Sequence, residues 1–75
     1  MSTFKFSFKT PQEVLNAMDA AIPVELLFLL NNEQCEIDDE DIDPEYETYD
    51  CIRFEGDKST IKLWDVPKKF LEKVG

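Results

Sequence analysis

Asp38 to Glu47 reads DDEDIDPEYE, seven carboxylates in ten positions with no base among them. Carboxylates at that density admit three chemistries: chelation of a hard cation, general acid–base catalysis, and electrostatic capture of a cationic surface. Chelation has a template. With Asp39 at position 1, an EF-hand-like loop places Asp41 at 3, Asp43 at 5, Glu45 at 7, Glu47 at 9 and Asp50 at 12. Position 6 is then Pro44, where the loop needs glycine for its sharp turn, and the last ligand is a short aspartate instead of a bidentate glutamate. No metal is assigned. Acid–base catalysis needs one carboxyl raised in an apolar pocket beside an ionised partner. A run of acids in one solvated segment offers no such asymmetry.

Other catalytic groups are scarce. The chain has no histidine, which removes the commonest general base and metal ligand. Cys35 and Cys51 lack an imidazole partner, and the bases near them are Arg53 and Lys62. Glycine occurs only at 56 and 75, so no loop can cradle a phosphate. The expectation is a protein that is not an enzyme and uses no cofactor.

Electrostatic capture remains. The formal charge is −9, and the ten acids from Glu33 to Asp50 (Glu33, Glu36, Asp38, Asp39, Glu40, Asp41, Asp43, Glu45, Glu47 and Asp50) have no base between them. The rest of the chain holds seven acids and eight bases, so the acidity belongs to one segment. Such a field repels nucleic acid and anionic membranes and steers basic partners. If the run is extended, Asp39, Asp41, Asp43, Glu45 and Glu47 point one way at intervals of about 6.7 Å. Phosphates in one DNA strand rise by about 3.4 Å each, so the row copies a backbone coarsely. Asp38, Glu40, Ile42, Pro44 and Tyr46 take the other side, with Ile42 and Tyr46 available to anchor it. Asp43-Pro44-Glu45 also suits a helical start, which would break the row after Asp43.

The elements that position this run follow from the pattern. Thr3 to Lys9 alternates, with Phe4, Phe6 and Phe8 on one face of a strand. Thr10-Pro11-Gln12-Glu13 is an N-cap, a proline at the first helical position and a capping-box glutamate, followed by Val14, Leu15, Met18 and Ile22 at helical spacing. Val24 to Leu30 suits a second helix ending at Asn31-Asn32, or a buried strand, since so short an apolar run does not reveal its period, and Glu33 to Ile37 suits a strand. TYDCIRFE and KSTIKLWD form a hairpin across Gly56-Asp57, read as a two-residue type II′ turn. That register sets Glu55 opposite Lys58, Ile52 opposite Ile61 and Tyr49 opposite Trp64. Ile52, Phe54, Ile61 and Leu63 then face the core, and Tyr49, Arg53 and Trp64 form an aromatic and cationic cluster on the other face, or become ordinary core if a helix covers that face too. Asp65 can cap a last helix from Val66 to Val74, packed through Phe70, Leu71 and Val74. The fold class is α+β: residues 1–75 as one domain, an antiparallel sheet of three or four strands, helices on one face, and the acidic segment 33–50.

The N-terminus alternates instead of forming a signal peptide, VELLFLL is too short for a membrane span, and there is no CxxC. A cytoplasmic setting with both thiols reduced is expected. The function indicated is a non-catalytic inhibitor or adaptor that occupies the basic, nucleic-acid-binding surface of a partner protein. Asp38, Asp39, Glu40, Asp41, Asp43, Glu45 and Glu47 stand in for phosphates, and Tyr49, Arg53 and Trp64 fix orientation. In size and charge the chain resembles small acidic inhibitors that phages encode against host defence, and antitoxin or immunity proteins that neutralise basic toxins. That likeness is of composition and covers no aligned stretch. The alternative is a structural or assembly accessory whose acidic loop only solubilises it.

Overall fold

The computed structural model describes residues 1–18, 21–56 and 59–74. Strand β1 is Ser2–Phe6, helix α1 Pro11–Ala17, helix α2 Val24–Leu30, and β2 Glu33–Ile37. The hairpin strands β3 and β4 are Thr48–Glu55 and Thr60–Pro67, and β5 is Leu71–Lys73. All pairings are antiparallel, in the order β4-β3-β2-β1-β5. The fold is a small α+β domain with five strands, where three or four were expected.

Local chemistry starts α1 where the sequence places it. The Thr10 backbone N–H donates to the Glu13 carboxylate at 3.1 Å, and Pro11 takes the first helical position with no N–H to leave unpaired. The helix ends at Ala17, earlier than the apolar spacing through Ile22 implied, with Met18 already extended and its N–H on the Val14 carbonyl. Helix α2 matches its expected bounds. It stops at Asn31-Asn32, where Asn32 adopts φ 69°, a left-handed conformation that asparagine tolerates. Asn31 then accepts a bond from the Phe8 N–H at 3.0 Å, tying the helix end to the end of β1.

Val14 of α1, Met18 just past its end, and Leu27 and Leu30 of α2 share one core with Phe4, Phe6, Cys35, Ile37, Ile52, Phe54 and Leu63 of the sheet. Phe6 is the hub, with ring centroids of Phe8, Phe54 and Phe70 at 5.8, 5.6 and 6.4 Å. Phe4 and Phe6 are fully or nearly buried, as the alternation in β1 requires, while Phe8 lies beyond the strand and is half-buried.

Two expectations fail in the second half. The hairpin pairs Glu55 with Thr60, Phe54 with Ile61, Ile52 with Leu63, Cys51 with Trp64 and Tyr49 with Val66. The register is thus moved by two residues, and the Gly56 N–H continues the ladder to the Ser59 carbonyl at 3.0 Å. Lys58, the partner expected for Glu55, lies outside the described residues, and Glu55 pairs with Thr60. A shift of two keeps every side chain on its face, which is why Ile52, Phe54 and Leu63 remain core. The second failure is the last helix. Pairing continues to Thr48 and Pro67, a 3₁₀ turn spans Lys68–Phe70, and β5 then pairs with β1. Val66 is fully buried as a strand residue, and Asp65, at φ 56°, has no cap to make. Without β5 the unpaired backbone of β1 would be an exposed sheet edge.

Among the described residues no helix is long and apolar enough to cross a membrane.

Candidate functional site

The acidic loop leaves β2 after the buried Ile37 and returns at β3, and it folds as two turns. The first is a 3₁₀ turn at Asp39–Asp41, with the Asp41 N–H on the Asp38 carbonyl at 2.9 Å and the Ile42 N–H on the Asp39 carbonyl at 3.2 Å. The second runs from Asp43 to Tyr46. The Tyr46 N–H reaches the Asp43 carbonyl at 3.2 Å, and the Asp43 side chain accepts from the Glu45 N–H at 2.9 Å. Proline second and a side-chain-bonded aspartate first are what this turn favours. The extended row from Asp39 to Glu47 therefore does not form, and neither does an EF-hand-like arrangement. Among the described residues no three metal-ligating side chains converge.

Two of the acids fasten the loop to the sheet. Arg53 donates to both oxygens of Asp38, at 2.9 and 3.0 Å. This hydrogen-bonded fork holds the Asp38 carboxyl below its ordinary value. Asp39 accepts from the Ser2 hydroxyl at 2.8 Å and pairs with the N-terminal amine at 3.2 Å. Both bonds, the hydroxyl's first, lower its pKa. The far end is fastened by Lys68, whose Nζ donates to the Asp43 carbonyl at 2.6 Å while its backbone N–H meets the Glu47 carbonyl at 2.9 Å. Ile42 packs against the core in between.

The cluster expected of Tyr49, Arg53 and Trp64 is dispersed. Tyr49 is 8% exposed and packs on Phe4 with ring centroids 5.2 Å apart, so it belongs to the core. Buried positions run Tyr49, Ile52, Phe54 in β3 and Leu63, Val66 in β4, so both strands change face at the Asp50 and Asp65 step. A left-handed residue such as Asp65 interrupts the alternation of a strand. Arg53 is engaged by Asp38. Trp64 stands 58% exposed opposite Cys51, on the uncovered face with Arg53 and Lys62. Cys35 is inside the core, where burial pushes its thiol up to about 11, and Cys51 lies on the other face; both are free.

Among the described residues the ion pairs are those of Asp38 and Asp39, so Glu40, Asp41, Glu45 and Glu47 have no counter-ion there. Glu40, Glu45 and Glu47 are exposed, and Asp41 and Asp43 are half-buried. Beneath the second turn opens a groove of about 620 Å³, walled by Pro44, Tyr46 and Glu47 on one side and Pro67 and Lys69 on the other. Tyr46, expected to anchor the loop inward, is 64% exposed instead and offers its ring to solvent. Lys68 is the site residue that sequence reasoning passed over. Lys68 lies 5.1 Å from the Tyr49 ring, which ties the buried tyrosine to the loop only through the observed register.

Compared with known proteins, the chain matches no family model, no curated protein sequence and no solved structure.

Proposed function

We propose that this is a non-catalytic binding protein whose acidic loop occupies a basic, nucleic-acid-binding surface of a partner protein. One observation carries the proposal. Glu40, Asp41, Glu45 and Glu47 have no cation of their own among the described residues, on a loop already held at both ends by Asp38–Arg53 and Lys68–Asp43. Ordering before binding lowers the entropic cost of association, and unpaired carboxylates supply the steering field. A cation arriving at these four groups displaces no ion-pair partner among the described residues. Tyr46, beside them, adds an apolar contact of the kind often found at binding hot spots. The two turns replace regular spacing with a compact charge cluster, which suits a cationic pocket better than a long groove.

The test separates the fastening acids from the presenting ones. In Glu40→Gln, Asp41→Asn, Glu45→Gln, Glu47→Gln the loop keeps Asp38, Asp39 and Asp43 and hence its shape. Immobilised in a lysate of its own host, the wild type should retain a basic nucleic-acid-handling protein that salt elutes, and the quadruple variant should not. Equal retention by both leaves the loop with a solubilising role only, as in an assembly accessory, and refutes the proposal.

A further inference from the structure

From Thr10 to Ile52 the chain contains no lysine or arginine; all eight bases lie before or after it. Both helices fall inside that base-free stretch. On α2, Leu27 and Leu30 face the core, while Val24 is exposed and Phe28 and Leu29 stand 62% and 73% exposed. Val24 and Phe28 are one helical turn apart, as are Glu25 and Leu29, so they form two adjacent ridges on the solvent side. Isolated exposed apolar side chains are ordinary, but three together on a helix of seven residues make a patch. Leu29 also borders a groove of about 220 Å³ between α2 and the hairpin, floored by Leu30, Phe54 and Ile61 and flanked by Glu33 and Glu55.

We infer that the outer face of α2 docks an amphipathic helix of a partner protein, one whose apolar stripe is flanked by lysine and arginine. Ridges at four-residue spacing accept the ridges of another helix, and the groove beyond Leu29 accepts one large side chain from it. The charged groups among the described residues at this surface are Glu25, Glu33 and Glu55, and α2 itself lies in the stretch from Thr10 to Ile52 that holds no base, which favours a cationic flank. The same carboxylates oppose a second copy of this chain, which would bring its own −9 against them, and oppose an anionic membrane. This surface does not rest on the acidic loop. The C-terminal end of α2 joins the start of β2, whereas the loop leaves the opposite end of that strand.

The test is an amide NMR titration of the full chain with a Leu/Lys amphipathic peptide of about five helical turns, against a scrambled peptide of the same composition. Shifts are expected along α2 and at Glu33, Glu55 and Ile61, with the scrambled peptide binding about tenfold or more weakly. Phe28→Ser/Leu29→Ser, altered only at exposed positions, should weaken the amphipathic peptide by a similar factor. Three results each overturn the inference. These are shifts confined to residues 38–47 with α2 silent, equal binding by the scrambled peptide, and sedimentation that finds the wild type dimeric and the double variant monomeric, making a second copy the occupant. The wild-type shift map decides even if the double variant does not fold. Failure of the four-carboxylate variant to change partner capture would leave this map untouched.

Discussion

Arg53 donates to both oxygens of Asp38, and that pair sets how the acidic loop leaves the sheet. Its consequence for stability has a definite sign. A carboxyl held below its ordinary 3.8 in the folded state contributes stability that is fully present above that value and is lost as pH falls through the depressed one. Asp39 acts in the same direction. The wild type should therefore lose melting temperature more steeply than Asp38→Asn below about pH 4, the two curves converging in acid. Thermal melts between about pH 6 and about pH 2 check this, and parallel curves would refute it. The two aromatic residues assigned to one face separate in the same way by burial. Tyr49→Ala removes a core ring and should cost about 3–5 kcal/mol, enough to unfold much of so small a domain. Trp64→Ala removes an exposed one and should change stability by no more than about 0.5 kcal/mol. Urea unfolding distinguishes them directly. None of this was legible in the residues alone, because alternation taken through β3 and β4 puts Tyr49 beside Trp64. The face change at Asp50 and Asp65 leaves no mark in the hydrophobic pattern.

At the scale of elements, what could be read was what is local. The start of α1 is written in Thr10, Pro11 and Glu13, and the alternation of Phe4 and Phe6 marks β1, because cap and strand signals act within a few residues. The register of the hairpin and the existence of β5 depend on distant partners. Glu72 finds Lys5 and Leu71 finds Phe6 only once the sheet is assembled, and nothing within Val66 to Val74 reports it. Two backbone positions follow from the observed geometry. Asn32 at φ 69° ends α2, and Asp65 at φ 56° lies where the hairpin changes face. Glycine carries no steric penalty in that conformation, so Asn32→Gly and Asp65→Gly should each hold or raise the melting temperature, by up to a few degrees. Alanine at either site should cost about 1 kcal/mol of stability and lower the melting temperature. Opposite signs for glycine and alanine in thermal melts are the signature, and equal effects would mean the side chain, not the backbone, matters there.

Across the whole molecule, charge is segregated by position in the fold. Helices α1 and α2 and the acidic loop contain no base, while among the described residues Lys5, Arg53, Lys62 and Lys73 lie on strands and Lys68 and Lys69 in the turn between β4 and β5. The seven carboxylates from Asp38 to Glu47 were legible as the candidate surface, but not their division into fastening and presenting groups, which arises from tertiary partners. Presenting groups repel one another across short distances, so the domain should be stabilised by several degrees in the four-carboxylate variant. The wild type should also gain melting temperature between low and physiological salt, and the variant less. A wild type indifferent to salt would contradict this.

Whether the loop occupies a nucleic-acid-binding surface is decided by competition with nucleic acid. The partner retained by the immobilised wild type is challenged with duplex or single-stranded DNA at constant salt. Release by nucleic acid, with none bound by this protein itself, is the expected result. A partner that stays bound under saturating nucleic acid would contradict the account, since loop and nucleic acid could not then share one surface.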